Sequence, residues 1–320
     1  MKQIQMAGPW ITDLEKETVA GMMDNGWDNY DYVENFEQAF AEWHNRKYCL
    51  MTPCCTHAIH LLLLSLDIKE GDEVIVPECT WTATAAPVTY LKATPVFADI
   101  DPNNWCLDPA SVRKNITKKT KAIIVVDLFG NMPDMEALEA ISKEYNIPLV
   151  EDAAESLGSF YDGNHTGRFG TLAAISFNGN KIITTGGGGM VITDDKKVAE
   201  RLKHITTTAK KPHPWLYIHD ELGFNYRLPN LNAALGCAQM EVLPDYIERK
   251  RALAGRYNEW LTEQGYKFIL EPDKSRSNYW INSFLTNDRD ERDFILEYTN
   301  HNKVMTRPAW TPIHSLDMYS

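Results

Sequence analysis

Long hydrophobic runs are missing from this sequence. The purely apolar stretches among its 320 residues, such as Leu61–Leu64 and Ala122–Val126, reach at most five residues, far below the roughly 20 residues that a membrane-spanning helix needs. The first residues, Met1-Lys2-Gln3-Ile4-Gln5, lack the apolar segment of a secretory signal. We therefore expect neither a membrane span nor a signal peptide.

Cysteine is sparse and scattered. The six cysteines form no CxxC pair, so the sequence indicates neither a disulfide framework nor a redox motif. The nine histidines fall at no spacing typical of metal ligands. We expect a reduced, cytoplasmic protein without a metal site.

Basic residues are also fewer than acidic ones. The 32 lysines and arginines face 44 aspartates and glutamates, for a net charge of −12. Nucleic-acid binding needs a basic surface, so we expect no nucleic-acid partner, although a small phosphate-bearing substrate stays compatible. The glycine run Gly186–Gly189 does not spell GxGxxG after a first strand, which argues against a nicotinamide dehydrogenase.

The region from Lys47 to Thr193 instead alternates short apolar runs with helical patterns. This alternation predicts an α/β fold with a largely parallel sheet covered by helices on both faces. The predicted strands are Tyr48–Met51, Glu73–Val76, Pro95–Ala98, Ala122–Val126, Pro148–Val150, Ala173–Phe177 and Met190–Thr193. The predicted helices are Thr56–Leu66, Ala83–Tyr90, Asp108–Asn115 and Pro133–Tyr145.

Beyond Thr193 the pattern becomes mostly helical, which suggests a second, smaller domain. The predicted helices are Asp195–Ile205, Asn230–Leu243, Asp245–Gly265 and Asp288–His301, with a strand at Asn278–Thr286. We place the domain boundary beside Pro244. Residues 1–242 then form a large domain and residues 243–320 a small α/β domain.

Two residues carry the chemistry that the sequence predicts. Asp152 lies in the block Glu151–Glu155, which directly follows the apolar run Ile147–Val150 and where an unpaired carboxylate would be costly; Lys181 follows a later strand. A pyridoxal phosphate enzyme needs such a pair, because the lysine bonds to the cofactor aldehyde and the acid holds the pyridine nitrogen protonated. The alternatives are a solvated surface lysine and a structural ion pair or helix cap.

Five blocks in order carry a resemblance over nearly the whole chain. They are Thr52–His60, Thr80–Thr84, Glu151–Glu155, Ser176–Lys181 and Gly223–Arg227. Together they resemble the nucleotide-sugar aminotransferases of the DegT/DnrJ/EryC1/StrS family, which are fold-type I pyridoxal phosphate enzymes. The stretches Ile205–Gly236 and Met305–Trp310 look most like the C4 aminotransferases of the legionaminate, bacillosamine and perosamine pathways. Ser320 arrives early for that family, so the small domain is expected to be incomplete.

The resemblance implies a role for several further side chains around the cofactor. Trp81 would stack on the cofactor ring, and Glu155 would approach its phenolic oxygen. The phosphate would be held by Thr56 at a helix start, preceded by Cys55 where relatives have glycine, and by Ser176. Asn225 would reach the phosphate from a neighbouring subunit, which implies a homodimer with a shared active site.

The resemblance also implies the reaction. L-glutamate would leave its amino group as pyridoxamine phosphate, and a nucleotide-linked 4-keto-6-deoxy sugar would accept it, in the synthesis of lipopolysaccharide or other surface sugars. Candidates for the substrate phosphates are Arg227, Lys210, Lys211, Arg307 and His314.

Three alternatives to this reaction are open. One is transfer to C3 instead of C4. Another is a dehydratase of the same family, which the lysine at 181 disfavours because a histidine stands there in such enzymes. The third is a regulatory, non-catalytic relative that only binds the cofactor.

Overall fold

A computed structural model of the protein describes residues 3–320. The helices are α1 (Asp13–Asn25), α2 (Asp31–His44), α3 (Cys55–Ser65), α4 (Ala86–Tyr90), α5 (Pro109–Asn115), α6 (Met135–Tyr145), α7 (Lys196–Thr206), α8 (Asn230–Glu263) and α9 (Arg289–His301). The strands are β1 (Tyr48–Thr52), β2 (Glu73–Pro77), β3 (Thr94–Ala98), β4 (Thr120–Val126), β5 (Leu149–Asp152), β6 (Phe160–Tyr161), β7 (Asn164–His165), β8 (Leu172–Ser176), β9 (Gly189–Thr193), β10 (Lys267–Phe268), β11 (Ser275–Arg276) and β12 (Phe284–Leu285).

Seven strands form the central sheet, in the order β1-β9-β8-β5-β4-β2-β3. All neighbouring pairs are parallel except the two pairs made by β9, which runs antiparallel to β1 and β8. The central strands β5, β8 and β9 are buried along their whole lengths, because helices cover both faces of such a sheet. The predicted mostly parallel seven-stranded sheet is therefore confirmed, and each of its strands was predicted to within two residues.

The helical layers bury two main cores against this sheet. On one face α3, whose Leu61–Leu63 are fully buried, packs on β8 and β9. On the other face Phe36 and Phe40 of α2 contact Phe177 at the end of β8. Helix α8 covers α1 and α2. These layers leave the carboxyl ends of the parallel strands at one edge of the sheet.

Several predicted helix boundaries were wrong. The two helices predicted on either side of Pro244 are one continuous helix, α8, with Pro244 inside it. Proline removes one N–H from a helix, and here the buried residues Leu243 and Ile247 hold the flanking turns in place. The predicted domain boundary therefore falls inside α8, and the division into two domains stays a prediction.

Other corrections concern element starts. Helix α6 begins at Met135, not Pro133, because the Asp134 side chain caps it by accepting a hydrogen bond from the Ala137 N–H. Helix α4 begins at Ala86 and not at Ala83, since Thr82–Ala85 form a turn. Helices α1 and α2 were not predicted.

The C-terminal region is less regular than predicted. The expected strand Asn278–Thr286 is reduced to Phe284–Leu285. The backbone N–H groups of Ser277, Asn278 and Trp280 donate to side-chain oxygens and not to a neighbouring strand. Further along, the Ile313 N–H donates to the Glu78 carbonyl oxygen at 2.8 Å, and the Ile313 side chain is fully buried in the core under α3. The end of the chain thus returns to the sheet edge that carries the strand ends. Within residues 3–320, no helix is long and apolar enough to cross a membrane.

Candidate active site

The predicted site residues converge on one edge of the sheet because they follow parallel strands. Asp152 ends β5 and Ser176 ends its neighbour β8. Lys181 lies five residues beyond Ser176, and Thr56 lies in the first turn of α3, just after β1. Carboxyl ends of parallel strands meet at one edge of a sheet, which is where open α/β sheets bind ligands.

Lys181 is largely buried, with its side chain only 13% exposed. Its Nζ lies 3.6 Å from Glu155 Oε1 and 3.6 Å from the centroid of the Trp280 ring. The amine therefore sits between a carboxylate and an aromatic face. The alternative of a solvated surface lysine is wrong for this structure.

Asp152 is buried and hydrogen-bonded. Its Oδ2 accepts from the Thr84 hydroxyl at 2.7 Å, and its Oδ1 accepts from the Ala154 N–H at 3.2 Å. Burial raises the pKa of Asp152, while these hydrogen bonds and the charge of Lys181 act in the opposite direction. A cationic ring nitrogen beside Asp152 would compensate the cost of burying its charge.

Glu155 is held by a strained turn. Its Oε2 accepts the Phe129 N–H at 2.8 Å, and Phe129 has a φ of 58°, which is unusual for a bulky residue. Burial raises the pKa of Glu155, and the charge of Lys181 offsets part of that rise. The carboxylate is therefore fixed in place and faces the lysine.

The start of α3 provides a place for an anion. The N–H groups of a helix's first turn have no partners within the helix and favour negative charge, and Cys55 and Thr56 occupy that turn. A Cβ on Gly189 would meet the backbone atoms of Cys54 and Cys55 at 2.5 Å, so the glycine lets β9 pack against this helix start. Cys55, the position at which the resemblance led us to expect glycine, is the first residue of α3 and does not have a positive φ, so no glycine is required there.

Ser176 lies beside this helix start. It pairs with Gly189 in the sheet register, and its hydroxyl oxygen accepts the Asn178 N–H at 3.3 Å. Burial and the nearby Asp152 carboxylate raise the pKa of the Cys55 thiol, and Lys181 opposes that rise. Thr56, Ser176, Asp152 and Lys181 thus belong to one neighbourhood.

Trp81 stands at the open side of the site. It is 58% exposed and meets the Trp310 ring edge-on, with the centroids 5.3 Å apart. Trp310 in turn lies 5.4 Å from the Phe129 ring. Trp81 is therefore not a core tryptophan, and its free face is available to a planar ligand.

The residues predicted for the neighbouring subunit and for the substrate are more dispersed. Asn225 is exposed and pairs with Thr207 through an isolated backbone bridge. The next residue, Tyr226, stacks on His57 in the first turn of α3, with the centroids 3.9 Å apart. Asn225 thus lies near the predicted phosphate site of its own chain and faces solvent.

Among the substrate candidates, only His314 lies beside the strand ends, where its Nδ1 is 2.9 Å from Glu78 Oε2. The Arg227 guanidinium stacks on Tyr30 at 3.4 Å, and Lys210 lies 5.4 Å from the centroid of Tyr217. Arg307 donates to Asn300 Oδ1 at 2.9 Å. Lys211 lies 3.7 Å from Asp220. In the described part of the chain, these four side chains make no hydrogen bond or ion pair with Lys181 or Asp152.

Comparison with known proteins gives the family. The model of the DegT/DnrJ/EryC1/StrS aminotransferase family matches residues 9–320. The chain belongs to this family. The predicted enzyme class, an aminotransferase, is confirmed with it.

Two individual proteins agree with this aminotransferase assignment, and a third shares the fold. The chain is 40% identical to GDP-perosamine synthase of Escherichia coli O157:H7, over 100% of this chain and 88% of that protein. The aminotransferase TlmJ of Streptoalloteichus hindustanus matches in structure with a TM-score of 0.94 at 27% identity, over 99% of this chain and 87% of TlmJ. The sugar aminotransferase Spr1654 of Streptococcus pneumoniae, solved in its pyridoxal phosphate form, matches with a TM-score of 0.93 at 24% identity, over 99% and 87% of the two chains. The fold-type I architecture is thereby confirmed.

Pyridoxal phosphate is the cofactor of this aminotransferase family, as predicted. The residues present fit it. A buried, hydrogen-bonded carboxylate, a largely buried amine and a helix start beside a serine hydroxyl lie at one sheet edge. These are the kinds of group that the ring nitrogen, the aldehyde and the phosphate of the cofactor require.

Some residues of the candidate active site were not predicted from the sequence. Trp280 and Phe129 contact Lys181 and Glu155 from segments 99 and 26 residues away along the chain, and no local pattern marks them. Thr84 could have been predicted, since it lies in the block Thr80–Thr84. In the structure its hydroxyl is 2.9 Å from that of Thr80.

Within residues 3–320, one cluster of side chains has the residue types that bind metal ions, and it includes none of the candidate site residues. His204, Asp220 and Glu221 place their ligand atoms within 4.8 Å of one another. Asp220 already pairs with Lys211 and Glu221 with Arg201, so ion pairs account for this cluster.

Proposed function

We propose that this protein transfers an amino group from L-glutamate to a nucleotide-linked 4-keto-6-deoxy sugar, in the cytoplasm, for surface-polysaccharide synthesis. The observation that supports this most directly is the position of Lys181, whose amine is held against Glu155 at the edge where Asp152 and Ser176 end their strands. An amine, an acid and an anion site in one place are what transamination requires.

When bound, pyridoxal phosphate supplies an aldehyde that bonds to amines and a ring that accepts electron density. The chain's own residues would do the rest. Lys181 Nζ holds the cofactor, then accepts and returns the proton at the reacting carbon as a general base and acid. Asp152 keeps the ring nitrogen protonated, and Thr56 and Ser176 hold the phosphate. The buried setting of Lys181 limits the access of water to this proton transfer.

The acceptor is proposed from the relatives. The E. coli relative is named for GDP-perosamine, and perosamine is a 6-deoxy sugar with its amino group at C4. We infer that this chain acts at C4 and favours a guanosine diphosphate sugar. His314, Arg307, Arg227 and Lys210 are the proposed contacts to the diphosphate.

The test is turnover with L-glutamate and a panel of 4-keto and 3-keto nucleotide sugars, with the product read by NMR. We expect an amine at C4 and no product with Lys181→Ala. The matched control is Lys197→Ala, which removes an exposed lysine outside the site. An amine at C3 would overturn the regiochemistry, and turnover by Lys181→Ala would overturn the role of the lysine.

A further inference from the structure

Trp280 is the aromatic residue closest to the catalytic amine. Its ring centroid lies 3.6 Å from Lys181 Nζ, well inside the roughly 6 Å range of a cation–π contact. The residue is only 2% exposed. Trp280 is 99 positions from Lys181 along the chain, so tertiary structure alone creates this contact.

Three hydrogen bonds fix the orientation of Trp280. Its indole N–H donates to the Asn180 carbonyl oxygen at 2.7 Å, directly beside Lys181. Its backbone N–H donates to Asn278 Oδ1 at 2.8 Å, and its carbonyl oxygen accepts from Lys250 Nζ at 2.7 Å. The ring therefore cannot turn away from the amine without breaking the indole hydrogen bond, while the two backbone bonds hold the residue itself in place.

The segment that contains Trp280 also contacts the backbone of Glu155, the second neighbour of the Lys181 amine. Asn278 Nδ2 donates to the backbone carbonyl oxygens of Glu155 and Leu157, each at 2.9 Å. One loop, Asn278–Trp280, thus sets both the aromatic face and the backbone of the carboxylate that flank Lys181. A cation placed between a carboxylate and an aromatic face is attracted from both sides.

We propose that Trp280 is a positioning residue that holds the ε-amino group of Lys181 against Glu155 whenever this group is not bonded to the cofactor. This proposal rests on the proposed function of Lys181. In each half of a transamination cycle the lysine is released and must then act at the reacting carbon. The ring of Trp280 keeps the released amine within reach of that carbon and away from solvent.

The test compares Trp280→Leu, which removes the aromatic face, with Trp280→Phe, which keeps a face and loses the indole N–H. The control is Trp260→Leu, because Trp260 is 56% exposed on α8. The first readout uses cofactor-free protein, in which a soluble acylating reagent labels amines and mass spectrometry gives the labelling rate of Lys181. We expect that rate to rise about fivefold or more in Trp280→Leu, and to stay within about twofold of wild type in Trp280→Phe and Trp260→Leu.

The second readout is the steady-state reaction with L-glutamate and the acceptor. Trp280→Leu should lower kcat about tenfold or more with little change in KM, because the released amine is misplaced while substrate contacts persist. Trp280→Phe should recover most of that loss. An unchanged Lys181 labelling rate in Trp280→Leu, or a Phe variant as impaired as the Leu variant, would overturn the proposal. If Trp280→Leu does not fold, Trp280→Met fills more of the space and undergoes the same two measurements.

Failure of this proposal is distinguishable from failure of the proposed function. The labelling experiment needs neither cofactor nor sugar. A wild-type protein that never aminates a sugar would contradict the proposed function while the labelling rates still report on Trp280.

Discussion

At the scale of single residues, the site depends on acids that the fold buries. Asp152 lies next to Glu151, which is buried beside Asp127. The Thr166 hydroxyl lies 2.6 Å from Asp127 Oδ2 and 3.0 Å from Glu151 Oε1. Burial and the charge of Glu151 hold the pKa of Asp127 well above its ordinary range. Asp127 therefore favours its protonated form in this buried pair, which lies beside Asp152.

This pair predicts a pH dependence of stability. The raised pKa means that folded Asp127 keeps a proton which the unfolded chain releases above about pH 3.9. The folded state then binds more protons than the unfolded state, so the free energy of unfolding falls as pH rises through that window. Asp127→Asn cannot ionise in either the folded or the unfolded state, so it should flatten this decline. Urea unfolding at pH 5, 6, 7 and 8 measures it, and equal slopes in the two proteins would refute the assignment.

The placement of the candidate site residues, though not their roles, could largely be predicted from the sequence. Lys181, Asp152, Ser176 and Thr56 lie in local blocks whose spacing follows strand ends, so their convergence could be expected from a parallel sheet. Trp280, Phe129 and Trp310 could not, since their contacts depend on how distant loops fold back. Arg227, Lys210 and Arg307 were chosen by charge alone, and in this structure they contact other partners.

At the scale of elements, helix α8 shows what a periodic pattern misses. A proline inside a helix suggested two helices, yet packing against α1 and α2 carries the helix through Pro244. Strand predictions succeeded because buried β-branched runs are distinctive. Short edge strands such as Phe284–Leu285 depend on partners elsewhere, which no local pattern gives.

Substitution by alanine is expected to have opposite effects on stability at two glycines of α8. A Cβ on Gly236 would meet the Phe36 ring at 2.5 Å, whereas a Cβ on Gly255 has no atom within 4 Å among the described residues. Gly236→Ala should destabilise the protein by about 1–3 kcal/mol through overpacking. Gly255→Ala should stabilise it by up to about 1 kcal/mol, since alanine favours the helix. Chemical denaturation measures both, and a stabilised Gly236→Ala would show that α2 and α8 are packed more loosely than described.

At the scale of the whole molecule, one surface suggests assembly. The hairpin around Lys210 and His219 exposes Trp215, Tyr217 and Leu222, each at least 75% exposed. Clustered exposed apolar side chains mark interaction surfaces. The hairpin precedes Asn225, the residue proposed to enter the partner's phosphate site. A homodimer that buries this hairpin stays a proposal.

Mixed dimers test this arrangement. If Asn225 acts across the interface, a dimer of one Lys181→Ala subunit and one Asn225→Ala subunit contains one intact site. Co-expression of two inactive variants should then restore about a quarter of wild-type activity, since half of randomly formed dimers are mixed. The tagged homodimers of each variant serve as controls. No recovery in purified mixed dimers would mean that Asn225 acts within its own chain.

The most direct measurement of the central claim is the absorbance spectrum of the protein after addition of pyridoxal phosphate and then of L-glutamate. The predicted result is a visible band from cofactor bonded to an amine, which glutamate converts to the shorter-wavelength spectrum of pyridoxamine phosphate. Lys181→Ala should lack the protein-bound band. A wild-type protein without the band, or a Lys181→Ala protein that shows it unchanged, would contradict the account of Lys181.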